Sequence, residues 1–85
     1  MIRARVSYAA ALAQAREAEA ALGLLDELGG ADAVAEYQAY WATRAHVLAR
    51  VGRAEEARAA FGRASGLTTD PAVRAFLQER AAELG

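Results

Sequence analysis

The feature that most constrains this chain is an internal repeat. Ala9, Leu12, Ala21, Leu25 and Leu28 return as Ala45, Leu48, Ala57, Phe61 and Ala64, each 36 positions further on. A fixed offset of about 34 residues between small and large apolar positions is the signature of stacked helical hairpins. The small residues let two helices approach closely, and the large ones fill the space around that contact. Units of this kind are binding scaffolds, so the pattern speaks for recognition rather than for chemistry.

With 85 residues the chain makes one small domain. A domain this size buries only about 60–65% of its unfolded surface. Two units also fall short of the roughly three that a stable array needs. A further helix, a neighbouring domain or self-association should supplement them. A charged fraction of 25% and a hydrophobic fraction of 55% exclude a disordered chain. The net charge of −1 leaves no electrostatic footprint for nucleic acid or an anionic membrane. Every basic residue is arginine, and cysteine is absent, which excludes disulfides and zinc–thiolate sites. No apolar run approaches the roughly 20 residues of a membrane span. Ile2-Arg3-Ala4-Arg5 leads into an amphipathic stretch rather than a signal peptide's apolar core. A cytoplasmic location is the expectation.

The composition favours helix throughout. A first helix is expected over Arg3–Ala15 and a second over Glu19–Leu28, ending at Gly29-Gly30. Local propensity gives no break between them, because Arg16-Glu17-Ala18 holds neither Gly nor Pro. The repeat supplies the break: Arg16 falls at the position of Gly52. Asp32 reads as the N-cap of a third helix over Ala33–Val51, with Gly52-Arg53 as its turn. A fourth helix spans Ala54–Ser65, with Gly66 as a left-handed cap. Thr68-Thr69-Asp70-Pro71 is the clearest boundary: Asp70 caps a fifth helix, Pro71 opens it, and it runs to Leu84. Val73, Phe76, Leu77, Ala81 and Leu84 form its apolar stripe, with Arg74, Gln78, Arg80 and Glu83 off it.

The second unit resembles a tetratricopeptide repeat in Trp41, Ala45, Leu48, Gly52, Ala57, Phe61 and Ala64. The first unit is degenerate, with Arg5 at the tryptophan position and Arg16 at the turn glycine. A sharper likeness covers nearly the whole chain. It runs from Val6-Ser7-Tyr8-Ala9-Ala10-Ala11 through Ala20-Ala21-Leu22-Gly23-Leu24-Leu25-Asp26-Glu27-Leu28. It continues in Arg44, Leu48, Gly52-Arg53, Glu56-Ala57, Phe61, Arg63-Ala64, Leu67, Arg74, Phe76-Leu77, Arg80 and Glu83-Leu84. These residues resemble the C-terminal tetratricopeptide-like domain of a group of bacterial extracytoplasmic-function sigma factors. The resemblance implies control of transcription initiation through contact with the sigma domains or RNA polymerase, without direct contact to DNA. Such sigma factors lack the usual anti-sigma partner, which makes the extension the natural regulatory part. Met1 then marks either the edge of an excised domain or the start of a stand-alone relative.

Tetratricopeptide geometry, carried over, places a groove on the first helices of the two units. It would present Arg3, Val6, Ala10, Ala13 and Gln14, then Ala42, His46, Ala49 and Arg50. The face is shallow and lacks the lysine–asparagine clamp of chaperone-tail adaptors, so it suits a docked helix or a partner domain. The same alanines would equally serve to pack against the first or fifth helix. His46, the only histidine, has no carboxylate at helical spacing, which argues against metal or catalytic work. Trp41 occupies a core position of the repeat, which leaves Tyr37 and Tyr40 as interface candidates. Glu17, Glu19, Glu55 and Glu56 fall at turns and helix starts, where the dipole explains them. Arg50, Arg53, Arg58 and Arg63 form a weak basic strip that Glu55 and Glu56 neutralise, so nucleic-acid binding is disfavoured. Gly29-Gly30 lacks the remainder of a phosphate loop, and nothing suggests a cofactor.

The expectation is therefore an all-α domain: a degenerate first hairpin over 1–30, a second over 31–68, and a capping helix over 69–85. Its core would be Leu12, Leu22, Leu25, Leu28, Trp41, Leu48, Phe61, Phe76, Leu77 and Leu84. Two functions stand open: a sigma-factor regulatory domain, and a stand-alone helical-repeat adaptor unrelated to transcription. Small-molecule binding between the hairpins is a third, without a polar constellation in the sequence to support it.

Overall fold

The computed structural model describes residues 2–30 and 34–84. Those residues form five helices and no strand: α1 (Ile2–Gln14), α2 (Ala18–Leu28), α3 (Gln38–Arg50), α4 (Ala54–Leu67) and α5 (Pro71–Glu83). The ends of α1 and α3 are 36 positions apart, and so are the starts of α2 and α4. Helix α1 packs on α2, and α3 packs on α4. Helix α3 also rests on α1 and α2, whereas α5 lies on α4.

The break that only the repeat indicated is present, and its backbone explains the spacing. Arg16 has φ +66°, the one left-handed non-glycine among the described residues, and Gly52 has φ +85°. At the first turn the Arg16 N–H donates to Ala13 O (3.2 Å) and the Glu17 N–H to Leu12 O (2.8 Å). At the second, the Gly52 N–H donates to Ala49 O (3.2 Å) and the Arg53 N–H to Leu48 O (2.9 Å). Both are the same two-bond Schellman closure, which satisfies the last carbonyls of a helix and turns the chain sharply. At Arg16 a side chain occupies a conformation that costs an L-residue about 1–2 kcal/mol. The closure overrides propensity there.

All the repeat positions are buried except Leu12, which is partly buried at the edge of the core. Ala9, Ala21, Ala45 and Ala57 are wholly inaccessible. Several expected core members differ. Trp41 and Leu84 are only partly buried, and Phe76 is 50% exposed. Val6, Val34, Tyr40 and Val47 are buried in their stead. Leu77 is the single buried residue of α5. Ala81 and Leu84 pack against the core beside it, standing 36 positions beyond Ala45 and Leu48. The helix thus turns that side inward and leaves Phe76 and Val73 outside, so two of the five residues of the expected stripe are exposed.

Two boundaries also move. Helix α3 begins at Gln38 rather than Ala33, and the proposed cap Asp32 lies outside the described residues. The preceding loop is held by side chains instead. Val34 is inserted into the core, and Ala35 O accepts from Trp41 Nε1–H (3.0 Å) and from the Arg63 guanidinium (2.8 Å). Helix α4 runs through Gly66 to Leu67. Its end is closed from α5, where Arg74 donates to Ser65 O (3.3 Å) and Thr68 O (2.7 Å). An arginine from the next helix thus does the work expected of a glycine cap. Asp70 caps α5 as expected, accepting from the Ala72 N–H at 2.9 Å, with Pro71 opening the helix.

Gly29 ends α2 for a reason other than left-handed backbone, since its φ is −62°. Tyr40 O–H donates to Leu25 O at 3.1 Å, and a Cβ on Gly29 would lie 2.9 Å from that hydroxyl oxygen. The glycine is there to make room. Burial pushes the Tyr40 pKa above its ordinary value, against the opposing pull of Arg44.

Two predictions follow from the backbone and from this contact. Gly52→Ala should lower stability by about 1 kcal/mol, whereas Arg16→Gly should raise it by about 0.5–1 kcal/mol. Shifts of about 4–8 °C per kcal/mol in thermal melts would register both. Gly29→Ala should cost about 1–3 kcal/mol through overpacking. Most of that loss should vanish in a Tyr40→Phe background, read as a coupling energy from urea melts of the four proteins.

Candidate functional site

A depression of about 460 Å³ is lined by residues from three helices. Helix α1 supplies Ala10, Ala13 and Gln14; α3 supplies Thr43, His46, Val47, Ala49 and Arg50; α5 contributes Arg80. The alanines keep the floor low, because a methyl group is all that projects from either helix there. Polar groups surround them, and no lining residue is a carboxylate.

The arginine from α3 is partly engaged. Arg50 donates to Ala13 O at 3.2 Å, the same carbonyl that accepts from Arg16 N–H in the first turn. This ties the ends of α1 and α3 together at the edge of the depression. Arg80 lies over the Phe76 ring, 5.9 Å from its centroid, and meets Glu83 at 3.6 Å. His46 packs edge-on to Phe61 with ring centroids 5.1 Å apart, and the Phe76 ring lies tilted 6.4 Å away. Desolvation lowers the His46 pKa below its ordinary value, and the charges of Arg80 and Arg50 lower it further. The neutral imidazole is therefore the favoured form, standing in a positive local field.

The groove residues read from the sequence divide between places. Ala10, Ala13, Gln14, His46, Ala49 and Arg50 line this depression together. Arg3 and Tyr37 line a separate, shallower one of about 370 Å³ with Ile2 and Glu36. Val6 is core, and Ala42 packs against the core. Val6, 4% exposed, is therefore not available to a groove. The aromatic pair is reversed as well: Tyr40, read as an interface residue, is the buried one. Trp41 stacks edge-on to it at 5.0 Å beneath the Arg63 guanidinium. Sequence reading missed Thr43, Val47 and Arg80. Thr43 lies one turn before His46, a spacing open to recognition. The position of Arg80 depends on the packing of α5, which no local pattern encodes.

The arrangement suits non-covalent recognition of a group that is partly anionic and partly apolar. No cluster of three or more metal-ligating side chains occurs among the described residues. No helix among them is long and apolar enough to cross a membrane. Comparison with known proteins gives no matching family model, no similar curated protein and no similar solved structure.

The histidine generates a pH prediction. Its folded pKa lies below the unfolded value of about 6.5. Above pH 6.5 both states hold it neutral and it leaves stability unchanged. As pH falls from 6.5 through the folded pKa, the unfolded state binds more protons, so stability is lost. The thermal midpoint should drop in that window for the natural sequence and drop less for His46→Gln. Melts from pH 7.5 to 5.5 on both proteins would show parallel curves if His46 were solvated.

Proposed function

We propose that this chain is a non-catalytic, tetratricopeptide-like interaction domain. Its role is to regulate transcription initiation as the C-terminal extension of an extracytoplasmic-function sigma factor. The observation that carries the interaction reading is the shared register of the two helix pairs. Each pair closes with the same left-handed turn, and a depression opens between their first helices, α1 and α3. Fixed register gives a rigid surface, and rigidity lowers the entropy lost on binding a partner.

The sigma-factor assignment is supported by the sequence resemblance. Residues that carry it also have structural employment. Arg44 meets Asp26 at 2.7 Å, Arg53 pairs with Glu56 at 2.8 Å, and Arg74 closes α4. The domain would act in the cytoplasm by touching sigma domains or RNA polymerase, leaving DNA to its neighbours.

Extract from the source organism, probed with an antibody raised against these residues, tests this reading. A product well above 9.0 kDa that co-purifies with RNA polymerase is expected. A free product of 9.0 kDa would instead identify a stand-alone adaptor and remove the transcription role.

A further inference from the structure

The arginines of this protein are not employed alike. Arg44 and Arg53 each hold a carboxylate oxygen within 2.8 Å. Arg63 and Arg74 are spent on backbone carbonyls, at 2.8 Å and 2.7 Å. Arg50, like Arg63 and Arg74, donates to a backbone carbonyl and meets no carboxylate among the described residues, as is also true of the ion-pair-free Arg3, Arg5, Arg16 and Arg58, and Arg80 has only Glu83 at 3.6 Å. Place sets Arg50 and Arg80 apart: both border the same depression, and no carboxylate is among its lining residues, on a chain whose net charge is −1. Beside them lies exposed apolar surface. Phe76 is 50% exposed and Val73, one helical turn away, 36%. Phe76 adjoins the depression through His46 and Arg80.

From this juxtaposition we infer that the depression and the outer face of α5 form one docking surface for an acidic amphipathic helix. Its carboxylates sit between Arg50 and Arg80, and its apolar side chains cover Phe76 and Val73. The inference deepens the interaction-domain reading and rests on it, but not on the link to transcription. Charge complementarity selects the occupant. A carboxylate approaching two guanidinium groups gains charge-assisted hydrogen bonds. The low alanine floor admits a helix at close range. Nucleic acid is a poorer fit, because two cations neutralise too few phosphates to hold it at physiological salt.

The probe is a synthetic helical peptide with leucine and phenylalanine on one face, flanked by glutamates. Its control has every glutamate replaced by lysine. Each is titrated into the full isotope-labelled chain and followed by amide chemical shifts. The acidic peptide should move the signals of Ala10, His46, Ala49 and Arg80 and bind at least tenfold tighter than its lysine counterpart. Arg80→Glu should weaken it about tenfold, and adding Arg50→Glu should invert the preference. Because Arg50 also holds Ala13 O, the double variant carries a folding risk. Arg80 is exposed, so its single variant retains the fold and keeps the test decisive. Equal binding of both peptides at this surface would overturn the acidic preference and leave the interaction domain standing. Shifts mapping elsewhere, or no binding, would overturn the surface itself, while co-purification decides the wider reading independently.

Discussion

A left-handed residue at the end of α1, and another 36 positions later at the end of α3, sets the geometry on which the remaining contacts depend. Each reverses the chain within a few residues, and each supplies the two backbone donors that the departing helix lacks. With the reversal fixed, the second helix of each pair must run beside the first. Fully buried alanines on both helices then permit close approach: Ala9 and Ala21 in one pair, Ala45 and Ala57 in the other. Burial of Leu25, Leu48 and Phe61 follows from that approach and contributes about 1.5–3 kcal/mol for each side chain.

This order of dependence explains which parts of the fold were legible in the sequence. The break at Arg16 is invisible to propensity, and it emerged only because Gly52 stands at the matching position. The first four helices and the small and large positions packed between them followed from the same register, while the fifth was announced by Asp70 and Pro71. The loop before α3 did not, because Ala35 O is satisfied by side chains, from Trp41 six positions on and from Arg63 on α4. Such bonds carry no local signal. The exchange of roles between Tyr40 and Trp41 has a similar cause. Adjacent aromatics differ by about 100° around a helix, and only the placement of α2 decides which one faces it. At the candidate site, the contributions of α1 and α3 could be read from the repeat. That of α5 could not, since its rotation on α4 is a tertiary choice.

Arginine seals helix junctions here, a task lysine could not perform equally well. Planar guanidinium groups reach across helix junctions and donate to carbonyls at Ala13, Ala35, Ser65 and Thr68. A guanidinium offers several donors in a fixed fork, so one side chain can close two carbonyls, as Arg74 does. The junctions between successive helices are therefore sealed by side chains that remain charged at any physiological pH. Against that constant background, His46 is the one lining group whose charge can change in the mildly acidic range, and burial lowers its pKa below the ordinary value.

The shared 36-residue register also determines where the chain can change in length over evolution. A residue inserted within α3 would carry the left-handed position about 100° around the helix. Helix α4 would then leave in another direction, and Ala57 would lose its place in the core. Whole units could be duplicated or lost without that rotation, because each turn would meet its neighbour in the same phase. The join between α2 and α3 is under no such phase constraint, since its hold on the core is through individual side chains. Natural variation in length should gather at that join, while both left-handed turns stay fixed.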